Sequence, residues 1–125
     1  MIASNKKILL VEDDRFISEI YFRKLSESDF DVKLARDGVE ALDIFNEFNP
    51  DVVLLDIMLP KKNGWEVLEF LKDKKENGLK IIMLTNLGEK ETMEKALKKG
   101  ADDYVIKASL TPAELVELIK NKIEI

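Results

Sequence analysis

Four short apolar runs in this sequence each stop at a side chain that can bind a metal ion or a phosphoryl group. The side chains at these ends are Glu12 with Asp13, Asp56, Thr85 and Lys107. If the runs are parallel strands of one sheet, their carboxyl ends share one edge, and ligands bind at that edge of such sheets. The sequence therefore predicts that three carboxylates, a hydroxyl and an ammonium group converge there.

The acidic part of this set has the chemistry of a magnesium site. Glu12, Asp13 and Asp56 offer hard oxygen ligands, and the chain has neither histidine nor cysteine, so an ion such as Mg²⁺ is favoured. A plainer interpretation is that Glu12-Asp13-Asp14 forms a solvated loop with a helix cap. Asp56 does not fit it, because a carboxylate directly after four buried aliphatic residues is costly to desolvate unless a metal or Lys107 compensates it.

Asp56 is the residue that we assign as a nucleophile toward phosphorus. It follows the central strand, between Asp13 and Thr85, and a carboxylate beside bound Mg²⁺ can attack a phosphoryl group to give an acyl phosphate. Thr85 can donate a hydrogen bond to one phosphoryl oxygen, and Lys107 can neutralise another. Taken singly, Thr85 is an ordinary strand-end residue and Lys107 a surface lysine, but their joint placement on the right strand ends favours the phosphoryl site.

The composition indicates one globular domain, residues 1–125. Of the 125 residues, 46% are hydrophobic and 36% charged, as in folded globular chains, and no apolar run approaches the roughly 20 residues of a membrane span. The start of the chain has no signal-peptide pattern, so a cytoplasmic protein is expected. The lack of cysteine and histidine excludes disulfides and histidine-based catalysis, and the net charge of -5 argues against nucleic acid as a direct partner.

Strand and helix patterns alternate along the chain. Five strands are predicted, at residues 8–11, 32–35, 52–55, 81–84 and 103–106. Strand 52–55 is apolar at every position and is expected at the sheet centre, whereas strand 32–35 alternates as an edge strand does. Right-handed crossovers then give a parallel sheet with helices on both faces. The predicted fold class is α/β, a flavodoxin-like (βα)5 doubly wound sheet of five strands in the order 2-1-3-4-5.

Five helices are predicted after these strands. They run over residues 14–27 with Asp14 as N-cap, from Asp37-Gly38 to Asn49-Pro50, from Trp65 to near Asn77-Gly78, over 89–99 up to Gly100, and from Thr111-Pro112 onward. Their inward positions are predicted to be Ile17, Ile20, Tyr21 and Leu25; Val39, Leu42, Phe45 and Phe48; Trp65, Leu68 and Leu71; Met93, Ala96 and Leu97; and Leu115, Leu118, Ile119 and Ile123. Helix 89–99 is expected to be the least firmly buried, because its apolar stripe is narrow.

The ordered motifs resemble the receiver domain of two-component response regulators, in particular single-domain receivers of the chemotaxis type. The resemblance covers roughly residues 6 to 124. The motifs are Leu9-Leu10-Val11-Glu12-Asp13-Asp14, Ala35-Arg36-Asp37-Gly38-Val39-Glu40-Ala41-Leu42, Pro50-Asp51-Val52-Val53-Leu54-Leu55-Asp56-Ile57-Met58-Leu59-Pro60, Asn63-Gly64, Leu84-Thr85 and Gly100-Ala101-Asp102-Asp103-Tyr104-Val105-Ile106-Lys107. Each motif is short, but the ordered set at this spacing is specific.

The resemblance implies a phosphorylation site and its metal. Asp56 would accept the phosphoryl group from a sensor histidine kinase or a phosphotransferase. Mg²⁺ would be bound by Asp13 directly, by Glu12 through water, by Asp56 and by the backbone carbonyl of Met58. The chain would not be an enzyme beyond its own phosphorylation and slow self-dephosphorylation.

The resemblance also implies an output. Thr85 and Tyr104 would act as a switch pair: the hydroxyl moves to the new phosphate and the aromatic ring turns inward behind it. The surface of residues 89–124 would then change its affinity for a downstream target protein, with the chain a monomer or weak dimer. The alternative for Tyr104 is a strand aromatic residue that packs on a helix and never changes its exposure.

Three features depart from the usual family pattern. Ala108 follows Lys107 where a proline after a cis peptide bond is usual, so the loop either is rebuilt with a trans bond or stores strain. Asn86 is larger than the small residue usual after the threonine. Met58 and Leu87 stand where polar residues are common, and because two apolar side chains cannot orient the water that attacks an acyl phosphate, slow self-dephosphorylation is expected.

Several interpretations of the chain compete. It is a stand-alone signalling module, which we favour, or the receiver part of a longer DNA-binding transcriptional regulator, although no DNA-reading element is present in these residues. A degenerate receiver that binds partners without phosphorylation is disfavoured by Asp13, Asp56, Thr85 and Lys107. An aspartyl-phosphate phosphatase is disfavoured because its second aspartate would stand at position 58, which is Met58.

Overall fold

A computed structural model describes residues 6–86 and 88–123 of the protein. Over these residues the strands are β1 Lys7–Val11, β2 Asp31–Ala35, β3 Val52–Leu55, β4 Lys80–Thr85 and β5 Asp103–Ile106. The helices are α1 Arg15–Glu27, α2 Gly38–Phe48, α3 Gly64–Leu71, α4 Lys90–Lys98 and α5 Pro112–Ile123, with 3₁₀ segments at Lys72–Asn77 and Lys107–Ser109. None of the helices in this described part of the chain has the length and apolar character to span a membrane.

The five strands form one parallel sheet in the order β2-β1-β3-β4-β5. This confirms the predicted doubly wound, flavodoxin-like fold and the predicted edge position of strand 32–35. The register aligns the carboxyl ends: Val11 pairs with both Ala35 and Leu55, and Leu55 pairs with Met83. The residues that directly follow β1 and β3 therefore lie side by side at one edge of the sheet.

The core lies in two layers, one on each face of the sheet. In β3, Val53 and Leu55 belong to the layer with α2, α3 and α4, whereas Val52 and Leu54 belong to the layer with α1 and α5. Successive strand side chains point to opposite faces, so a strand covered on both faces must be apolar at every position. All four of these side chains are fully buried, as predicted for the central strand.

Side-chain caps fix where the helices begin. The N–H of Ile17 donates to Asp14 Oδ1 at 3.0 Å, and the N–H of Glu40 donates to Asp37 Oδ1 at 2.8 Å. Each cap satisfies a backbone donor that has no partner within its helix. At the far end of α4, Gly100 adopts a left-handed φ of 114°, as expected for a glycine that ends a helix.

Three predicted inward positions are wrong. Ile20, Val39 and Leu97 are 41%, 43% and 49% exposed. Each of them is one residue away from a buried neighbour, and these neighbours are Tyr21, Gly38 and Ala96. Successive side chains point about 100° apart around a helix. When Tyr21, Gly38 or Ala96 faces the interior, the adjacent apolar side chain is therefore directed toward solvent. Ala96 is the buried residue of α4, which agrees with the prediction that this helix is the least firmly buried.

Candidate functional site

The carboxyl edge of the sheet carries a cavity of about 280 Å³. The N–H of Glu12 donates to Ala35 O at 3.0 Å, and the N–H of Asp56 donates to Val11 O at 3.1 Å. These bonds extend the sheet ladder by one residue and hold both carboxylates at its edge. The residues that line the cavity are Glu12, Asp13, Asp14, Ile17, Asp56, Met58, Thr85, Asn86 and Lys107.

Three carboxylates meet in this cavity. Glu12, Asp13 and Asp56 each offer an oxygen, and these oxygens lie within 4.8 Å of one another. Glu12 is 0% exposed and Asp56 is 5% exposed, whereas Asp13 faces solvent. Oxygen ligands at this spacing, without nitrogen or sulfur ligands, fit a hard divalent cation. The predicted acidic cluster is therefore assembled by the fold.

Lys107 lies between two of these carboxylates. Its Nζ is 3.0 Å from Asp56 Oδ2 and also forms an ion pair with Glu12 Oε1, and its side chain is only 7% exposed. Burial by itself would lower the pKa of Lys107, but the contact with Glu12 and the negative charge of Asp56 outweigh burial and raise it. Lys107 is therefore a firmly protonated cation that points at Asp56, as the sequence predicted.

Glu12 is the carboxyl group whose charge is hardest to maintain. The pKa of Glu12 is raised to about 7: burial raises it most, contact with Lys107 lowers it, and the charge of Asp56 raises it. The N–H of Asp14, which donates to Glu12 Oε2 at 3.1 Å, stabilises the charged form. One ammonium beside crowded carboxylates leaves excess negative charge, which a divalent cation would relieve.

The carboxylate of Asp56 is fixed at both oxygens. Lys107 donates to Oδ2, and the N–H of Met58 donates to Oδ1 at 3.2 Å. Behind Asp56, the start of α3 comes so close that a side-chain carbon built on Gly64 would overlap the carbonyl oxygen of Asp56 and lie 2.6 Å from Ile57 Cα. Asp56 therefore has a defined orientation toward the cavity.

Thr85 and Tyr104 occupy the places expected for a switch pair. Thr85 is 0% exposed, pairs with Ile106 across β4 and β5, and lines the cavity. Tyr104 is 8% exposed and belongs to the core layer under α4. Burial raises the pKa of its phenol, and the charge of Glu89 raises it further. The tyrosine ring is thus turned inward in this structure, and its predicted movement on phosphorylation stays a prediction.

The departures from the family pattern have different outcomes. The described residues contain no cis peptide bond, so the bond between Lys107 and Ala108 is trans and the loop is rebuilt as the 3₁₀ turn Lys107–Ser109. Asn86 is exposed at the cavity rim. Met58 is 67% exposed beside Asp56, Leu87 lies outside the described residues, and slow self-dephosphorylation stays a prediction.

Sequence reasoning missed two features of the site. Ile17, assigned only to the inner face of its helix, also lines the cavity; its position three residues after the capping Asp14 was the available signal. The close approach of Gly64 to Asp56 was also missed, although the turn pair Asn63-Gly64 marked a tight connection.

Comparison with known proteins agrees with this geometry. The family model described as the response regulator receiver domain matches residues 8–120. The chain is 38% identical to the chemotaxis protein CheY of Halobacterium salinarum, over 86% of this chain and 89% of that protein. It is 42% identical to the probable transcriptional regulator ycf27 of Cyanophora paradoxa, over 97% of this chain and 49% of that protein. The chain thus spans about half the length of the ycf27 relatives.

Solved structures give the same result. The CheY-like receiver domain protein from Methanospirillum hungatei superposes with a TM-score of 0.88 at 33% identity, covering 97% of this chain and 95% of that one. The BeF3-activated N-terminal receiver domain of Klebsiella pneumoniae RstA superposes with a TM-score of 0.88 at 32% identity, covering 96% and 100%. This chain therefore belongs to the response regulator receiver domain family.

Proposed function

We propose that Asp56 is the residue that receives the phosphoryl group, in a reaction that depends on Mg²⁺ and uses a phosphohistidine of a sensor kinase or phosphotransferase as donor. The observation that carries this proposal is the Lys107 ammonium 3.0 Å from Asp56 Oδ2, inside the cluster formed with Glu12 and Asp13. A buried carboxylate that is oriented at both oxygens and opens to a cavity of about 280 Å³ is placed to attack phosphorus.

The roles of the side chains follow from this arrangement. An oxygen of Asp56 forms a bond to phosphorus while the bond from phosphorus to the donor nitrogen breaks, which leaves an acyl phosphate on the protein. Lys107 compensates the charge that arrives with the phosphoryl oxygens, and its raised pKa keeps it cationic. Thr85, at the end of β4, donates its hydroxyl hydrogen to one of those oxygens.

The carboxylate cluster is proposed to hold Mg²⁺. Asp13 and Asp56 would bind the ion directly, Glu12 through water, and Met58 through its backbone carbonyl. The bound ion would neutralise charge on the phosphoryl oxygens and orient them. The fit is supported by the chemistry of the ligands, because the oxygens of Glu12, Asp13 and Asp56 lie within 4.8 Å of one another.

The output is proposed to pass through the surface of residues 89–124. Thr85 and Tyr104 would link the phosphorylated Asp56 to α4. This helix contacts the core through the buried Ala96 and the partly buried Met93, so it is more easily displaced than the other helices. A downstream target protein would read this change, with the chain acting as a monomer or weak dimer. The chain would turn over no other substrate. We place the chain in the cytoplasm, where a sensor kinase can use ATP to phosphorylate the kinase's own histidine.

A second candidate is the receiver part of a longer transcriptional regulator. The favouring observation is that the ycf27 relatives are about twice as long as the aligned segment. The chemistry at Asp56 would be the same in both cases, because the receiver carries all of the cavity residues.

Intact mass spectrometry tests the proposed chemistry. The protein is incubated with a small acyl phosphate, with Mg²⁺ or with a chelator, beside Asp56→Asn and the exposed helix variant Asp43→Asn. Native protein and Asp43→Asn are expected to gain one phosphoryl group with Mg²⁺ only, and Asp56→Asn none. A folded native protein that gains no mass, or an Asp56→Asn variant that gains the same mass, would overturn the proposal.

A further inference from the structure

We infer that Gly38, at the start of α2, is a positioning residue for the segment that holds the metal ion. The inference rests on the proposed function, because it concerns the Met58 carbonyl as an Mg²⁺ ligand. Gly38 lies on a different element from the metal-binding residues, and no metal-binding role follows from its residue type. Its importance comes from how closely α2 approaches the loop between β3 and α3, residues 56–63.

This loop is closed at its base. The N–H of Gly64 donates to Ile57 O at 2.8 Å, and Ile57 is buried, with 3% exposure. Six residues, 58–63, therefore span a gap whose two ends are fixed. Pro60 removes one backbone torsion from this span. A displacement in the second half of the loop must be absorbed by the few residues left, which include Met58.

Gly38 contacts the second half of the loop. Its N–H points to Pro60 O at 3.5 Å, and the preceding Asp37 pairs with Lys61 at 3.5 Å. A side-chain carbon built on Gly38 would overlap the carbonyl oxygen and Cβ of Lys62 and would lie 2.7 Å from its carbonyl carbon. Backbone atoms cannot rotate away as a side-chain end can, so a methyl group here must displace the loop.

The site transmits this displacement to the metal ligands. Met58 holds Asp56 Oδ1 through its N–H at 3.2 Å, so a shift of Met58 changes both its own carbonyl position and the orientation of the carboxylate. Loss of a group that positions a metal ligand typically lowers metal affinity 10–100-fold. Gly38→Ala is therefore expected to weaken Mg²⁺ binding by about tenfold or more.

Isothermal titration of Mg²⁺ into the native protein and Gly38→Ala tests this inference, with Val39→Ala as control because Val39 is the exposed neighbour in the same turn. Gly38→Ala is expected to raise the Mg²⁺ dissociation constant, and its phosphorylation rate should recover when Mg²⁺ is saturating. Val39→Ala should bind like the native protein. Equal affinities for Gly38→Ala and the native protein would overturn the positioning role and leave the proposed function intact, whereas a native protein that binds no Mg²⁺ would overturn both.

A double variant separates positioning from folding. In Gly38→Ala with Lys62→Gly, the loop loses one overlapping Cβ and gains backbone freedom, so the chain can fold around the added methyl group by moving the loop. We expect this variant to regain stability in urea while its Mg²⁺ affinity stays low; Lys62→Gly alone is its control. A Lys62→Gly control with the same low Mg²⁺ affinity as the double variant would contradict the inference, because the loss would then not come from the methyl group at position 38.

Discussion

Raising the pH of the metal-free protein is expected to destabilise it through Glu12. The pKa of this buried carboxyl is raised from 4.5 to about 7, first by burial and then by the charge of Asp56, against the attraction of Lys107. At a pH between these two pKa values, Glu12 keeps its proton in the folded protein, whereas in the unfolded chain it has released it. The free energy of unfolding therefore falls as pH rises through this window, and the loss is complete above about pH 7.

The size of this effect follows from the same values. The pKa of Glu12 rises from 4.5 to about 7 on folding. At about 1.4 kcal/mol for each pKa unit, the free energy of unfolding falls by on the order of 3 kcal/mol across this window. Glu12 is 0% exposed, so solvent screening does not reduce the figure as it would at the surface. Mg²⁺ reverses the effect above pH 7, because a divalent cation stabilises the charged carboxylates.

Urea unfolding measures this contribution. Native protein and Glu12→Gln, which keeps the shape of the side chain and cannot ionise, are unfolded between about pH 5 and pH 8 with a chelator present. The native protein should lose stability relative to Glu12→Gln as pH rises, and the exposed Glu47→Gln should follow the native protein. The reasoning is refuted if native and Glu12→Gln curves run parallel over this range.

Three further changes test other contacts. Lys107→Met is expected to slow phosphorylation of Asp56 by about a hundredfold, measured as the rate of mass gain; a rate within twofold of native would contradict the role of the ammonium. Met58→Asn is expected to shorten the lifetime of the phosphoryl group, followed by intact mass after donor removal, since a polar side chain can orient the attacking water; an unchanged or longer lifetime contradicts it. Lys75→Met is expected to lower the free energy of unfolding by about 1.5 kcal/mol, because Lys75 bonds Asp102 at 2.7 Å and Gly100 O at 2.9 Å; equal urea midpoints for the two proteins would rule this out.

The ends of the strands were predictable because a buried parallel strand leaves a simple pattern. The apolar run 52–55 stops where the sheet stops, so the polar residue after it must lie at the carboxyl edge. The same argument located Thr85 and Lys107, and the register then places these ends side by side. Met58 was different: its proposed ligand is a backbone carbonyl, which leaves no side-chain signal, and only the resemblance to a family pointed to it.

The orientation of the helices was less predictable, because at two helices a small residue is buried and its larger apolar neighbour is exposed. Apolar periodicity favours Val39 and Leu97 as core residues, but the structure buries Gly38 against the loop that contains Lys62 and buries Ala96 in the core, and it leaves the larger neighbours exposed. Small residues let the backbone of a helix approach its neighbours closely. The contact between Gly38 and Lys62 depends on that approach. The sequence around Gly38 or around Lys62 alone therefore does not predict it.

The position of Lys107 is set mainly by the sheet. Ala108 replaces the usual proline, and the chain continues into the 3₁₀ turn Lys107–Ser109, yet Lys107 still reaches Asp56. Lys107 directly follows Ile106, which pairs with Thr85, so the strand ladder fixes where the lysine backbone begins. Two buried carboxylates then attract the only group on this side chain that can carry charge. Strand register and the ion pairs with Glu12 and Asp56 thus aim the ammonium at Asp56 without a proline after Lys107.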